Sequence, residues 1–350
     1  MKEFLKKKNI IFSAKRYGID ALGAMAQGLF ASLLIGTIIS TLGEQLGIDI
    51  LVTVGTYAKG ATGAAMAISI GYALQCPPLV LFSLPAVGMA ANELGAAGGP
   101  LAVLIVSIFA AEFGKLVSKE TKVVIIVTPF VTITVGALLS LWWAPGIGYA
   151  ASTVGNAIMW ATELQPFFMG ILVSVIVGIA LTLPISSAAI CAALSLTGLA
   201  GGAAVAGCCA QMVGFAVMSF KENKWGGLFA QGIGTSMLQM GNIVRNPKIW
   251  LPPTLASAIT GPLATCLFHM EMNGAAVASG MGTCGFVGQI GVYTGWVNDI
   301  AAGTKAAITP MDWIGMALIC FILPAVLSWL IAIPMRKKGW IKENDLKLDL

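Results

Sequence analysis

The sequence predicts an all-α polytopic membrane protein, and three observations carry that expectation. Hydrophobic residues make up 57% of the 350 and charged residues only 10%, an apolar excess that one soluble core cannot bury. Uncharged runs of spanning length recur from end to end. The basic residues sit at the ends of those runs rather than along a stripe with aromatics, so the net charge of +5 reads as a membrane-orientation signal, not as a nucleic-acid footprint.

The uncharged runs cover residues 21–43, 60–92, 94–111, 123–162, 164–220, 225–244, 249–268, 272–298 and 313–335. Most reach the roughly 20 residues that a spanning helix needs. Runs 60–92, 123–162 and 164–220 are each long enough for a helix pair or for a helix with a re-entrant hairpin. Four basic clusters punctuate them: Lys6, Lys7, Lys8, Lys15 and Arg16; Lys115, Lys119 and Lys122; Lys221 and Lys224; Arg336, Lys337 and Lys338. Placing all four in the cytoplasm puts both termini inside and requires an even number of crossings, about ten, with eight as the alternative. The Lys-rich start leads into a full-length span with no cleavage site after it, so the first span is expected to remain as an anchor.

The expected organisation is a basic N-terminal tail over 1–17, a transmembrane domain over 18–335 and a cytoplasmic C-terminal tail over 336–350. A candidate duplication divides the domain into 18–149 and 150–335. AQGLFASLLIG around Gln27 parallels LQPFFMGILVS around Gln165, and AGG before KETK (119–122) parallels AGG before KENK (221–224). If both basic loops face the cytoplasm, the repeats are parallel. Chance similarity between Gly- and Ala-rich helices is the alternative.

Seven cysteines, at 76, 191, 208, 209, 266, 284 and 320, lie in apolar or Gly-rich runs, and none forms a CxxC pair. They read as small buried hydrophobes, not as a disulfide framework or a metal site. No Walker loop, dinucleotide fingerprint, HExxH, CxxCH or GxSxG occurs, so neither a cofactor nor a self-contained catalytic site is expected.

Glycine is the most informative residue, at 42 of 350. Small residues let helix backbones approach closely, which accounts for GAAGGP (95–100) and GLAGGAAVAG (198–207). The stretch GAAVASGMGTCGFVGQIG (274–291) is different, because its glycines between 280 and 291 weaken any continuous helix. Broken backbone at membrane depth is tolerated only where protein buries it or where it lines a cavity.

An ionisable residue in an apolar segment marks a functional site by default, and Glu271 in TCLFHMEMNG is the best candidate. His269, the only histidine, and Asn273 flank it, and the glycine-rich break follows at once. A carboxylate, an imidazole and a carboxamide within five residues suit the hydroxyls of a polyol. A short interfacial loop is the competing reading; a re-entrant hairpin tip accommodates the near absence of a loop better. The first-half counterpart is Asn92 with Glu93. Asn242 and Gln289 are further candidate substrate ligands, and Pro184 breaks the chain beside Ser186 and Ser187, whose hydroxyls either face a pocket or bond to their own backbone.

The segment VRNPKIWLPPTLASAITGPLATCLFHMEMNGAAVASGMGTCGFVGQIG (244–291) resembles the membrane-embedded IIC proteins of the bacterial phosphotransferase system, in the branch that includes the perfringolysin O regulator. The resemblance implies a sugar permease with re-entrant hairpins, partners in separate IIA and IIB phosphocarriers, a homodimer and residence in the bacterial plasma membrane. It implies that Glu271 and His269 contact the sugar hydroxyl that receives phosphate, although the GITEP-type signature of the glucose group is missing. Because the branch includes proteins named as regulators, a membrane-embedded small-molecule sensor and a phosphoenolpyruvate-independent secondary transporter are the alternatives.

Overall fold

The computed structural model describes residues 2–348, so the outermost residues of both predicted tails lie outside the description. The chain is all-α, and its helices divide between two compact units, Met1–Ala151 and Ser152–Leu350. Among the described residues, five helical stretches are long and apolar enough to cross a membrane: Arg16–Leu46, Pro78–Val117, Val124–Thr162, Gly198–Met218 and Pro310–Lys337. Two shorter apolar helices, Thr62–Ala73 and Pro166–Thr182, join them.

The first unit begins with the short helix α1 (Lys2–Lys7) and the long α2 (Arg16–Leu46). Gly47, at φ +67, turns the chain back into α3 (Asp49–Gly60), which packs on the end of α2 where Gly36 faces Gly55. Next come α4 (Thr62–Ala73), α5 (Pro78–Gly95) and α6 (Gly99–Val117). The last two form a hairpin: Ala96 takes φ +45, and the chain reverses so that Gly95 lies against Ala102. Gly63 and Gly88 let α4 and α5 touch backbone to backbone.

Run 123–162, long enough for two helices, instead forms the single 39-residue helix α7 (Val124–Thr162). Its two internal prolines, Pro129 and Pro145, each remove one backbone donor. The helix runs unbroken through both positions.

Lys115 belongs by sequence to a basic cluster at a run end, but its side chain is only 1% exposed. The ammonium lies 3.0–3.1 Å from the Glu112 carboxylate and donates to the carbonyls of Asn9 and Leu74. Arg16 bonds the same Leu74 carbonyl and the Asn9 side chain, and the Tyr17 hydroxyl donates to Glu112. This network ties the chain entering α2 to the turn after α4 and to the end of α6. Lys8 ion-pairs with Glu120 just beyond it. That hydrogen bond holds the exposed Glu120 carboxyl below its ordinary 4.5.

In the second unit, α8 (Pro166–Thr182) leads through α9 (Ser187–Ala193) to α10 (Gly198–Met218), the most enclosed helix of the chain. Helices α11 (Phe220–Phe229), α12 (Met240–Arg245) and α13 (Leu251–Pro262) follow. The chain between Phe268 and Phe286 is broken into 3-10 turns, with Gly282, Gly285 and Phe286 at positive φ, before α14 (Val287–Ala301) and α15 (Pro310–Lys337). Helices α8, α13 and α15 pack around α10. A methyl at Gly207 would stand 1.9 Å from the Ser174 carbonyl oxygen, so only glycine permits the α8–α10 approach.

The C-terminal segment folds back onto this unit rather than standing free as a tail. Leu346 is fully buried, and carboxamides hold the backbone here: the half-buried Asn223 and the buried Gln239 donate to the Leu346 carbonyl, and the buried Asn242 donates to that of Lys347. Asn242 also donates to Gln239, Gln239 to Gln231, and Gln231 to Ser219.

Candidate functional site

The break after α13 builds an open cleft of about 460 Å³ lined by His269, Glu271, Asn273, Trp296, Asp299, Thr304 and Lys305. Helix α13 continues to Leu267, and His269, at φ +46, then turns the chain into an extended stretch. Met272 exchanges backbone hydrogen bonds of 3.0 and 3.1 Å with Gly198, the first residue of α10. Met270 donates to the Ala264 carbonyl at 2.8 Å. The peptide is thereby pinned on both sides of Glu271, whose side chain stays exposed to the cleft.

Close backbone approach sets the far wall. Gly291 and Gly295, one turn apart on α14, lie beneath Gly274 and Asn273, and a methyl at Gly295 would stand 2.7 Å from the Asn273 nitrogen. This contact brings Trp296 and Asp299 of the same helix to the cleft. Trp296 is 4% exposed and packs edge-on against Trp313.

Asn273 organises the charges. Its Nδ2 donates to Glu271 at 2.9 Å and to Asp299 at 3.0 Å, while its Oδ1 accepts from the Gly198 N–H. All its obvious valences are committed, so it acts as a bracket that holds two carboxylates side by side. Lys305 supplies the opposite charge: it bonds Asp312 at 2.8 Å and lies 5.9 Å from the centroid of the Trp296 ring. Asp312 is itself fixed by a capping box with Thr309. The result is an acceptor-rich cleft with an ammonium and an imidazole at its edge. Among the described residues, no group of three or more His, Cys, Asp or Glu is arranged to hold a metal.

Of the residues singled out in the sequence, the structure brings together His269, Glu271 and Asn273. It places the others elsewhere. Asn242 is committed to Gln239 and to the C-terminal segment. Ser186 caps α9 by accepting from the Ala189 N–H, and Ser187 donates to the Gly280 carbonyl, so these hydroxyls serve the backbone rather than a pocket. Gln289 donates to the Cys209 sulfur at 3.2 Å, and its Oε1 is buried with no partner among the described residues. Asn92 and Glu93 lie on α5 in the first unit. Trp296, Thr304 and Lys305 escaped the sequence reading. The signal for Trp296 was the GxxxG pair Gly291 and Gly295, whose register points it along one helix side with Asp299; Thr304 and Lys305 lie past the end of α14, where that register no longer applies.

Long apolar helices and glycine-mediated contacts define a helical membrane protein with a polar cleft at broken backbone. The chain belongs to the family described as Phosphotransferase system, EIIC, whose pattern it matches over residues 19–348. It is thus a PTS-type membrane permease, and it works with components of that system. No curated protein and no solved structure matches it.

Proposed function

We propose that the Glu271 cleft is the substrate site of this permease and that its substrate is a sugar. The reading rests on Asn273 holding Glu271 and Asp299 together at the cleft wall beside an indole and an imidazole. Paired carboxylates accept hydrogen bonds from adjacent hydroxyls, and an ionised acceptor roughly doubles the strength of each bond. An aromatic ring suits the apolar face of a sugar.

Phosphorylation on this reading uses separate IIA and IIB partners. The sugar hydroxyl oxygen attacks the phosphorus of a IIB phosphocysteine; the P–S bond breaks, and the thiolate leaves with its electron pair. Glu271 or His269 takes the hydroxyl proton as general base. The permease works as a homodimer in the bacterial plasma membrane, with both termini cytoplasmic and about ten spanning helices.

Uptake of labelled sugars into cells with and without the general phosphotransferase components tests this. Phosphoenolpyruvate-dependent uptake that is lost in Glu271→Gln supports it. Uptake that ignores phosphoenolpyruvate identifies a secondary carrier, and binding without uptake identifies a sensor. For orientation, Thr121→Cys, in the exposed loop between α6 and α7, is expected to react with impermeant thiol reagents only from the cytoplasmic side. Labelling from outside overturns the topology.

A further inference from the structure

A second cavity, of about 680 Å³, opens between α11 and the end of α15, within the second unit and away from the Glu271 cleft. Trp329, Ile333 and Arg336 line it at i, i+4 and i+7 along α15, so one stripe runs from an apolar end to a cationic end over roughly 10 Å. Val217 adds to the apolar wall, and Lys221 and Lys224 of α11 sit on the same rim as Arg336. The cavity is amphipathic along its length.

The charges on that rim differ in availability. Arg336 is neutralised by Glu222, which it grips with two nitrogens at 2.8 and 3.2 Å. Among the described residues Lys221 meets only Glu343, and both side chains of that pair are more than 70% exposed, so water screens it. Lys224 has no carboxylate partner among the described residues. Its backbone is held at φ 51, ψ −149, a conformation that strains an L-residue. Two lysines therefore face the mouth of the cavity with little internal compensation.

The depth of the site follows from the aromatics beside it. Trp225 stacks on Phe229 and meets Phe220 edge-on, yet Trp225 is 64% and Phe229 56% exposed. Exposed stacked aromatics on a short helix beside lysines are the composition of a headgroup-level anchor. The lysine rim then lies where lipid phosphates are, and the Trp329 end where acyl chains are.

We propose that this cavity binds one anionic phospholipid, its phosphate between Lys221 and Lys224 and an acyl chain along the Trp329–Ile333 stripe. The test uses full-length protein in a neutral detergent, with thermal unfolding followed during titration by palmitoyl-oleoyl phosphatidylglycerol, by phosphatidylcholine with the same chains, or by inorganic phosphate. Phosphatidylglycerol is expected to raise the unfolding temperature at concentrations where the other two do not. Lys221→Gln with Lys224→Gln is expected to weaken the apparent affinity about 25-fold, roughly fivefold per lysine, while the Arg pair at the same positions and Lys119→Gln retain it. An equal response to phosphatidylcholine, a response reproduced by inorganic phosphate, or an unchanged response in the Gln pair overturns the proposal. Co-purified lipid counted by mass spectrometry gives a check on the wild type alone, and no enrichment of phosphatidylglycerol over phosphatidylcholine also overturns it.

Discussion

Replacing Gly202 by alanine probes how the Glu271 peptide is held without changing any side chain of the cleft. An alanine Cβ there would stand 1.7 Å from the Met270 carbonyl oxygen. Ordinary carbon–oxygen contacts lie near 3.3 Å, so one backbone must retreat by about 1.5 Å. Helix α10 is packed on all sides, and the Met270 strand therefore has to move. Its anchors are the Met270 N–H to Ala264 bond and the two Gly198–Met272 bonds. Overpacking costs about 1–3 kcal/mol, and losing two of these bonds adds about 0.5–1.5 kcal/mol each. The sum is about 2–6 kcal/mol, in the range reserved for severe core lesions.

The assay is thermal unfolding of the purified protein followed by circular dichroism, with sugar uptake measured in parallel. Gly226→Ala is the control, because nothing lies within 4 Å of its added methyl. The control should equal or slightly exceed wild type through helix propensity. Gly202→Ala should unfold at a markedly lower temperature, and whatever folds should lose uptake. Wild-type stability and uptake in Gly202→Ala would refute the contact argument and with it the account of how Glu271 is positioned.

Further expectations follow from the two units. Lys115→Met should destabilise by about 3–5 kcal/mol, because it leaves the Glu112 carboxylate largely buried without its cation, and Glu112→Gln added to it should recover part of the loss; denaturation of the single and double variants decides. Leu346→Asp should cost more than about 3 kcal/mol, since it places a charge at a fully buried position and loosens the carboxamide chain from Asn242 to Gln231; proteolysis of the C-terminal segment reports it. Glu120→Gln should lower stability slightly at neutral pH. The folded carboxyl lies below its ordinary value, so the Lys8 pair contributes fully above about pH 4.5 and fades as pH falls through the lowered folded value. A difference from wild type that persists in strong acid would contradict that pairing.

The helical elements were legible because apolar runs and their basic ends obey bilayer dimensions, which act residue by residue. Where one run held several elements, the sequence was less informative: Ala96 reverses the chain at a non-glycine position, while Pro129 and Pro145 leave α7 continuous. Glycine counts predicted the broken stretch before α14, because the cost of glycine in a helix is local. The cleft was half legible. His269, Glu271 and Asn273 stood out as polar groups in an apolar context, but Trp296 and Lys305 reach them only through the Gly291 and Gly295 contact, a property of packing. Asn242, Ser186 and Ser187 carried the same polar signal for a different reason, since a buried amide or hydroxyl also satisfies backbone that has no helical partner.

Two places in this chain set charge among apolar helices, and the accounting of their hydrogen bonds separates their roles. At Glu112 and Lys115 the ammonium meets a carboxylate and two carbonyls, and a tyrosine hydroxyl and Arg16 close the network. The capacity left unspent there, at Glu112 Oε2 and Arg16 Nε, is buried out of reach of a solute. At Glu271 a carboxylate able to accept about four hydrogen bonds accepts one, from Asn273, within an open cleft. Charge buried against its own counter-ion fastens the fold; charge that keeps spare acceptors at an open wall is where a hydroxyl-bearing ligand gains most from binding. Unspent hydrogen-bonding capacity that an open cleft makes accessible is therefore the criterion by which Glu271 is proposed over the buried Glu112.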